Sequence, residues 1–195
     1  LRMDVPLFDN YEPPRYIIRA ETAGRASDHD AIIGTTPHMH ALFQNVNALA
    51  NLPTTILLRE ETGTGKELIA RALHYNGKTQ RSLGKFVTVN CAGIPQELLE
   101  SILFGHVRGA FTSAYYDRRG LVEEAHKGTL FLDEIGEMTP YLQSKILRLL
   151  QEHEITHVGD TVAKQVDVRI IAATNRNLEK KMEEGSFHRD LFYRI

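Results

Sequence analysis

The sequence predicts an α/β fold built on a parallel sheet covered by helices on both faces. Three observations carry that expectation. Short apolar runs at 54–59, 85–90, 129–132 and 166–174 alternate with stretches of helical period, the pattern of a parallel sheet with crossover helices. A glycine-rich turn joins the first of these runs to a helix. Polar residues (Asn90, Asp133, Glu134 and Asn175) fall at the C-terminal ends of the runs, where open α/β sheets collect their ligands.

The elements follow in order. Residues 1–30 hold Pro6, Pro13, Pro14 and mixed charges without a sustained period, and read as a linker or the tail of an upstream domain; a single domain is expected over 31–195. Met39, Leu42, Phe43, Val46, Leu49 and Ala50 recur at helical spacing. A strand at 54–59 leads through the glycine turn into a helix over 66–75. After the strand at 85–90, Pro95 suits the first turn of a helix reaching Leu103. Residues 105–120 break the pattern as a small-residue loop with Phe111 at its centre. Beyond the 129–132 strand, Thr139-Pro140 starts a helix with Leu142, Ile146, Leu149 and Leu150 on one face. Gly159-Asp160 turns between short strands, 166–174 is a buried strand, and 178–184 and 187–195 are helical.

Composition bounds the function classes. With 195 residues, 42% hydrophobic and 25% charged, the chain can build one sizeable core. A net charge of −2 gives no overall electrostatic case for nucleic acid. Cys91 is the only cysteine, which excludes an intrachain disulfide and fits a reducing, cytoplasmic setting. No apolar run approaches membrane-spanning length, and the first residues lack the order of a secretory signal. The chain starts at Leu1 and stops at Ile195 inside a helical pattern, so it reads as a fragment of a longer protein.

The chemistry concentrates in two places. Glu61-Thr62-Gly63-Thr64-Gly65-Lys66-Glu67 follows Ile56-Leu57-Leu58, so backbone N–H groups and a helix N-terminus converge where phosphates would sit, with Lys66 adding a point charge. Thr129-Leu130-Phe131-Leu132 delivers Asp133 and Glu134 at a strand tip. Asp133 would hold Mg2+ through water, and Glu134 would orient or deprotonate an attacking water. Thr174 and Asn175 are placed to bond the γ-phosphate or that water. Together these motifs predict a nucleoside-triphosphate site. The nine histidines have no metal-ligand spacing, and Cys91 without a neighbouring base reads as a buried small residue. Phe111 among small residues reads as an exposed aromatic that touches a partner.

Read together, the motifs spell a family. Thr62 through Glu67, Val89-Asn90-Cys91-Ala92, Leu103-Phe104-Gly105-His106, Gly109-Ala110-Phe111-Thr112-Ser113-Ala114, Gly128 through Glu134 and Ala172-Ala173-Thr174-Asn175 occur in one order. This strongly resembles the central AAA+ ATPase domain of bacterial sigma-54-dependent transcription activators, from about Ala31 onward. The resemblance implies a three-layer P-loop NTPase subdomain, here without its helical lid. It implies ATP and Mg2+ as ligands, and hydrolysis coupled to remodelling of the sigma-54 RNA polymerase promoter complex. In the family the 109–114 loop contacts sigma-54, Glu134 and Asn90 form a switch sensing the γ-phosphate, and subunits form a ring, usually a hexamer. Arginines from one subunit complete the next subunit's site, and Arg194 matches one of them. DNA would be met only through a domain outside this chain.

Departures from the family pattern bear on activity. Glu60 stands where the first glycine of the phosphate turn is expected, and its charge opposes a triphosphate by roughly 2 kcal/mol per phosphate charge. Glu67 replaces the general hydroxyl residue, as is usual in this family. Ser113 replaces the second glycine of the loop, and His188 stands where the first trans-acting arginine is expected, with Arg189 one residue off. These departures support an alternative expectation, a degenerate nucleotide-responsive binding module that hydrolyses nothing.

Overall fold

The computed structural model describes residues 16–19, 31–34, 36–59 and 65–195. Within the stretch read as a linker, β1 (Tyr16–Arg19) pairs antiparallel with β2 (Ala31–Gly34), Ile17 opposite Ile33 and Ile18 opposite Ile32. Four parallel strands form the central sheet: β3 (Ile56–Arg59), β4 (Phe86–Asn90), β7 (Thr129–Asp133) and β10 (Arg169–Thr174). Their order is β3-β10-β7-β4.

The alternation of side chains along a strand divides the interior into two cores. Leu130 and Leu132 of β7, with Ile170 and Ala172 of β10, face one side; Phe131, Ile171 and Ala173 face the other. The first side is covered by Leu99, Leu103 and Phe104 of α3 (Gln96–Phe104) and by Leu142, Ile146 and Leu149 of α5 (Pro140–Glu152). The second is covered by Phe43 and Val46 of α1 (Pro37–Ala50) and by Ile69, Ala70, Ala72 and Leu73 of α2 (Lys66–Tyr75). Three layers result. Each fully buried Leu, Ile or Phe contributes roughly 1.5–3 kcal/mol of transfer free energy.

Helix boundaries follow their caps. Thr36 accepts from the Met39 N–H at the head of α1, and Thr139, followed by Pro140, accepts from the Leu142 N–H at the head of α5. At the other end, the buried Arg169 guanidinium closes two helices at once. It donates to the carbonyls of Leu49 (2.8 Å) and Ala50 (3.2 Å) in α1, Leu73 (3.1 Å) in α2, and Thr54 (3.4 Å). A cation at two helix C-termini satisfies carbonyls that have no intrahelical partner.

The structure differs from the sequence expectation in three segments. Residues 166–168 do not extend β10; the Val166 N–H bonds back to His153 and the Asp167 carbonyl accepts from Lys127, which carries the chain around the sheet edge. Helix α7 is only Arg189–Phe192; its start is set by His188, whose extended backbone (ψ 127°) caps the helix while its N–H donates to the Gln143 side chain at 2.7 Å. The 105–120 segment is a hairpin rather than an irregular loop: β5 (Gly105–His106) pairs with β6 (Arg118–Arg119), and α4 (Leu121–Glu124) follows. A second hairpin, β8 (Glu154–Thr156) with β9 (Ala163–Gln165), lies beside it, and α6 (Leu178–Glu183) follows β10.

The two strands of the first hairpin cross so closely that neither root can carry a side chain. A Cβ on Gly105, at φ +77°, would lie 2.4 Å from the Arg118 carbonyl oxygen, and one on Gly120 would lie 2.3 Å from that of Leu103.

Candidate functional site

The parallel register brings the polar strand ends together. Asn90 is in register with Asp133, and Thr174 with Arg59, so four strands deliver their termini to one edge. Glu60, Glu61, Thr62, Gly63 and Thr64 lie outside the described residues. Gly65 is the N-cap of α2 in the left-handed region (φ 85°), a conformation that frees the first helical N–H groups to point away from the helix. Lys66 begins α2, and Glu67 turns along the helix to pair with Arg71 at 2.8 Å.

Lys66 and Glu134 form the centre of the site. Lys66 Nζ stands 3.8 Å from Glu134 Oε1, with side chains only 8% and 12% exposed. Glu134 Oε2 accepts from the Asn175 backbone N–H at 3.1 Å, which ties the end of β7 to the end of β10. Glu134 itself is left-handed, with φ 52° and ψ 49°. A non-glycine residue in that region costs about 1 kcal/mol or more and is held by its surroundings.

Asp133 is the second carboxylate. Its Oδ1 accepts from the Glu134 N–H at 3.0 Å, and its Oδ2 accepts from Asn90 Nδ2 at 3.4 Å. Burial, then the neighbouring Glu134 charge, push its carboxyl above the usual range, with Lys66 pulling the other way. Each oxygen keeps further acceptor capacity, a donor set suited to a hydrated cation that also draws on phosphate oxygens. Among the described residues, no cluster of three His, Cys, Asp or Glu side chains could hold a metal by itself. Asn90 Oδ1 accepts from the Ala92 and Gly93 N–H groups at 2.9 and 3.1 Å. The amide is thereby fixed, with its NH2 turned to Asp133 rather than to Glu134. Cys91 is fully buried, and burial, followed by the Asp133 and Glu134 charges, pushes its thiol up to about 12. A thiol kept protonated is no nucleophile, as the sequence indicated.

The 109–114 loop is the tip of the β5–β6 hairpin, apart from the carboxylates. Gly109 N–H donates to the Ala114 carbonyl at 2.8 Å and Ala114 N–H to the Phe111 carbonyl at 2.9 Å, closing a compact turn with Thr112 and Ser113 exposed. Phe111 is 37% exposed and rests one edge on the His106 ring, centroids 4.9 Å apart. His106 is in turn held by Ser101 of α3 at 2.7 Å. Arg194 and Arg189 are exposed around α7. The His188 ring instead lies against α5, with Nε2 3.0 Å from the Pro140 carbonyl and 3.4 Å from Ser144 Oγ.

Two features escaped the sequence reading. Arg59, directly before the phosphate turn, makes a two-pronged ion pair with Glu179 of α6; the second prong joins Nη1 to Oε1 at 2.6 Å. Its only sequence signal was a charge at the end of an apolar strand. The turn of the β8–β9 hairpin also packs on the loop, since a Cβ on Gly159 would meet Ala110 Cβ at 2.7 Å. No spacing in the sequence announces that contact.

Comparison with known proteins adds an independent line. The Sigma-54 interaction domain family matches residues 32–195. The chain is 49% identical over 178 residues to a Nif-specific regulatory protein of Azotobacter vinelandii, covering 91% of this chain and 34% of that protein. It is 51% identical over 164 residues to the regulatory protein AtoC of Escherichia coli K12, covering 84% and 35%. The chain thus spans about a third of the length of these curated relatives. Among solved structures, NtrX from Brucella abortus in complex with ADP matches with a TM-score of 0.76 at 41% identity, over 84% of this chain and 35% of that one. NtrX in complex with ATP matches with the same TM-score at 41% identity, over 84% of this chain and 34% of that one. The P-loop NTPase domain of a sigma-54 activator from E. coli, at 18% identity, covers 77% of this chain and 98% of that one; its TM-score of 0.52 supports the parallel-sheet fold. With the family matched over most of its length, this chain belongs to the Sigma-54 interaction domain family of transcriptional activators.

Proposed function

We propose that this domain binds ATP with Mg2+ and, in the full-length protein, couples ATP hydrolysis to remodelling of the sigma-54 RNA polymerase promoter complex. The observation that carries the reading is the convergence of Lys66, Asp133, Glu134 and Asn175 at one sheet edge, beside the N-terminus of α2. Lys66, with the turn from Glu60 through Glu67, binds the phosphates. Asp133 holds the hydrated Mg2+. Glu134, positioned by Lys66 and the Asn175 N–H, polarises the attacking water, and Asn90 sets the orientation of Asp133 beside it. Arg194 completes the neighbouring site in a ring of copies, a hexamer by family resemblance. The 109–114 loop contacts sigma-54. The ADP and ATP complexes of the NtrX relative support the nucleotide assignment.

A phosphate-release assay on the full-length protein, run beside titration calorimetry with Mg-ATP, tests the reading. Saturable binding with turnover that rises with protein concentration is expected, since the trans arginines require assembly. Absence of nucleotide binding overturns it. A second reading, a nucleotide-responsive module without hydrolysis, is favoured by Glu60 and by His188, whose ring is engaged on the Pro140 carbonyl. Binding without turnover at any concentration selects it. For the loop, Phe111→Ala and Thr112→Ala should spare ATP binding and abolish co-elution with sigma-54 in the presence of a transition-state analogue. Equal co-elution of wild type and both variants removes the loop from the contact.

A further inference from the structure

The hairpin that carries the 109–114 loop is far more basic than the protein as a whole. The chain has a net charge of −2, yet Arg108, Arg118 and Arg119 are exposed on this one hairpin. Among the described residues, no carboxylate lies within ion-pair distance of any of the three; eleven of the other basic side chains, Arg59 and Lys164 among them, are paired. The single acid of the hairpin, Asp117, has its Oδ1 committed to the Arg108 backbone N–H at 2.7 Å. The nearby Asp160 caps its own turn, accepting from the N–H groups of Thr161 and Val162 at 2.7 and 3.1 Å. Arg118 and Arg119 line a cleft of about 390 Å³ between the two hairpins, whose wall includes Lys164 and the buried His157. The same hairpin carries Tyr115 and Tyr116, 77% and 67% exposed, and Tyr116 shares the His106 ring with Phe111.

We propose that this strip is a docking surface for an acidic, partly apolar segment of the protein partner, with Arg118 and Arg119 as its carboxylate-binding residues. The inference rests on the reading of the 109–114 loop as the partner contact and extends it to a recognition chemistry. Unpaired guanidinium groups give up no internal ion pair on binding, and their forked donors match a carboxylate. The aromatics supply apolar area beside them, the composition of interface hot spots. Two features favour a protein segment over nucleic acid. Asp117 and Asp160 also line the cleft, where a chain carrying a negative charge at every unit would meet both of them. A peptide can place isolated carboxylates on the arginines and apolar residues opposite the acids.

The test uses the full-length protein and purified sigma-54 with a transition-state analogue. Arg118→Glu/Arg119→Glu should weaken sigma-54 association at least about tenfold, leave Mg-ATP affinity within twofold of wild type, and remove most of the salt dependence of association. Arg118→Lys/Arg119→Lys should recover part of the affinity, which a merely misfolded hairpin would not. If the charge-reversed protein binds sigma-54 like wild type while Phe111→Ala does not, the arginine surface is refuted and the loop contact stands. If neither change affects binding, the loop reading itself falls. Wild-type binding of a single-stranded DNA oligonucleotide that is lost on charge reversal would overturn the assignment to a protein segment; no such binding supports it.

Discussion

Lys66 Nζ and Glu134 Oε1 stand 3.8 Å apart at the edge of the sheet, one from the first turn after the phosphate loop and the other from the tip of β7. The pair ties the charge that would meet phosphate to the carboxylate that would meet water. Lys66→Ala removes that cation and should weaken Mg-ATP binding beyond detection by titration calorimetry. One or two lost charge-assisted bonds of about 1.5–3 kcal/mol each suffice for this. Unchanged affinity would exclude Lys66 from the phosphate site.

Asp133 and Glu134 are adjacent but differently held, so their variants should separate. Asp133→Asn should reduce the Mg2+ dependence of nucleotide affinity, because one carboxylate charge leaves the cation's side of the site. Glu134→Gln keeps the shape and the Asn175 contact, so the full-length protein should bind ATP with near wild-type affinity and lose turnover by about a hundredfold or more. Normal turnover in that variant would refute the water-polarising role.

Stability should fall on mild acidification because of His74. Its ring is buried between Thr129 Oγ1 (2.8 Å) and the Gly84 carbonyl (3.2 Å). Burial, aided by the charges of Arg169 and Arg81, lowers its pKa to about 4 despite the Gly84 bond. The unfolded chain takes up the proton near pH 6.5 and the folded chain does not. The contribution of neutral His74 is therefore complete above about pH 6.5 and is lost as pH falls toward 4, by up to about 3 kcal/mol. Thermal unfolding followed from pH 7 to pH 4.5 should show a steeper loss for wild type than for His74→Gln. Parallel curves would show that His74 is not the titrating group.

Arg169 offers a test of the opposite end of the sheet. Arg169→Met should remove the guanidinium donor from the carbonyls of Ala50 and Leu73 and leave that of Leu49 with only backbone donors such as the Leu52 N–H, lowering stability by about 2–4 kcal/mol in chemical denaturation. Arg169→Lys, with fewer donors, should fall between. A Met variant as stable as wild type would mean that water replaces the guanidinium at no cost.

Gly159 tests the contact between the two hairpins. Gly159→Val adds a side chain 2.7 Å from Ala110 Cβ, so it should displace the loop and reduce co-elution with sigma-54 at constant ATP affinity. Gly185→Val serves as the control, since Gly185 shares a positive φ but has nothing within 4 Å of its missing Cβ. Both variants bear the backbone strain of about 1–2 kcal/mol. If they reduce association equally, strain rather than the Ala110 contact is responsible.

Much of this was legible in sequence because strand ends and helix caps are local. Thr139-Pro140 marks the start of α5, the glycine turn marks the start of the helix over 66–75, and the apolar runs place the strand ends at Asn90 and Thr174. The two-core division follows from the period of β7 and β10, where successive residues must face opposite layers. The hairpin at 105–120 was not legible, because its strands are two residues each and its closure depends on Val158 from a distant segment. The Asn90 bond to Asp133 was hidden for the same reason: a register between two strands decides which carboxylate the amide meets. The buried guanidinium of Arg169 read as an ordinary strand residue, since its four acceptors come from two other elements and a loop.

The bare crossing of Gly105 and Gly120 separates two kinds of sequence freedom. At that crossing the hairpin meets the core through backbone alone, and its side-chain route to α3 runs through His106 to Ser101, with Phe111 and Tyr116 resting on the His106 ring, so the exposed Thr112 and Ser113 at the tip stand clear of it. With His106 and its aromatic neighbours retained, the hairpin is therefore a transplantable unit. A relative's tip sequence could be grafted between the two glycines to change which partner is gripped, while the nucleotide edge beneath keeps its geometry.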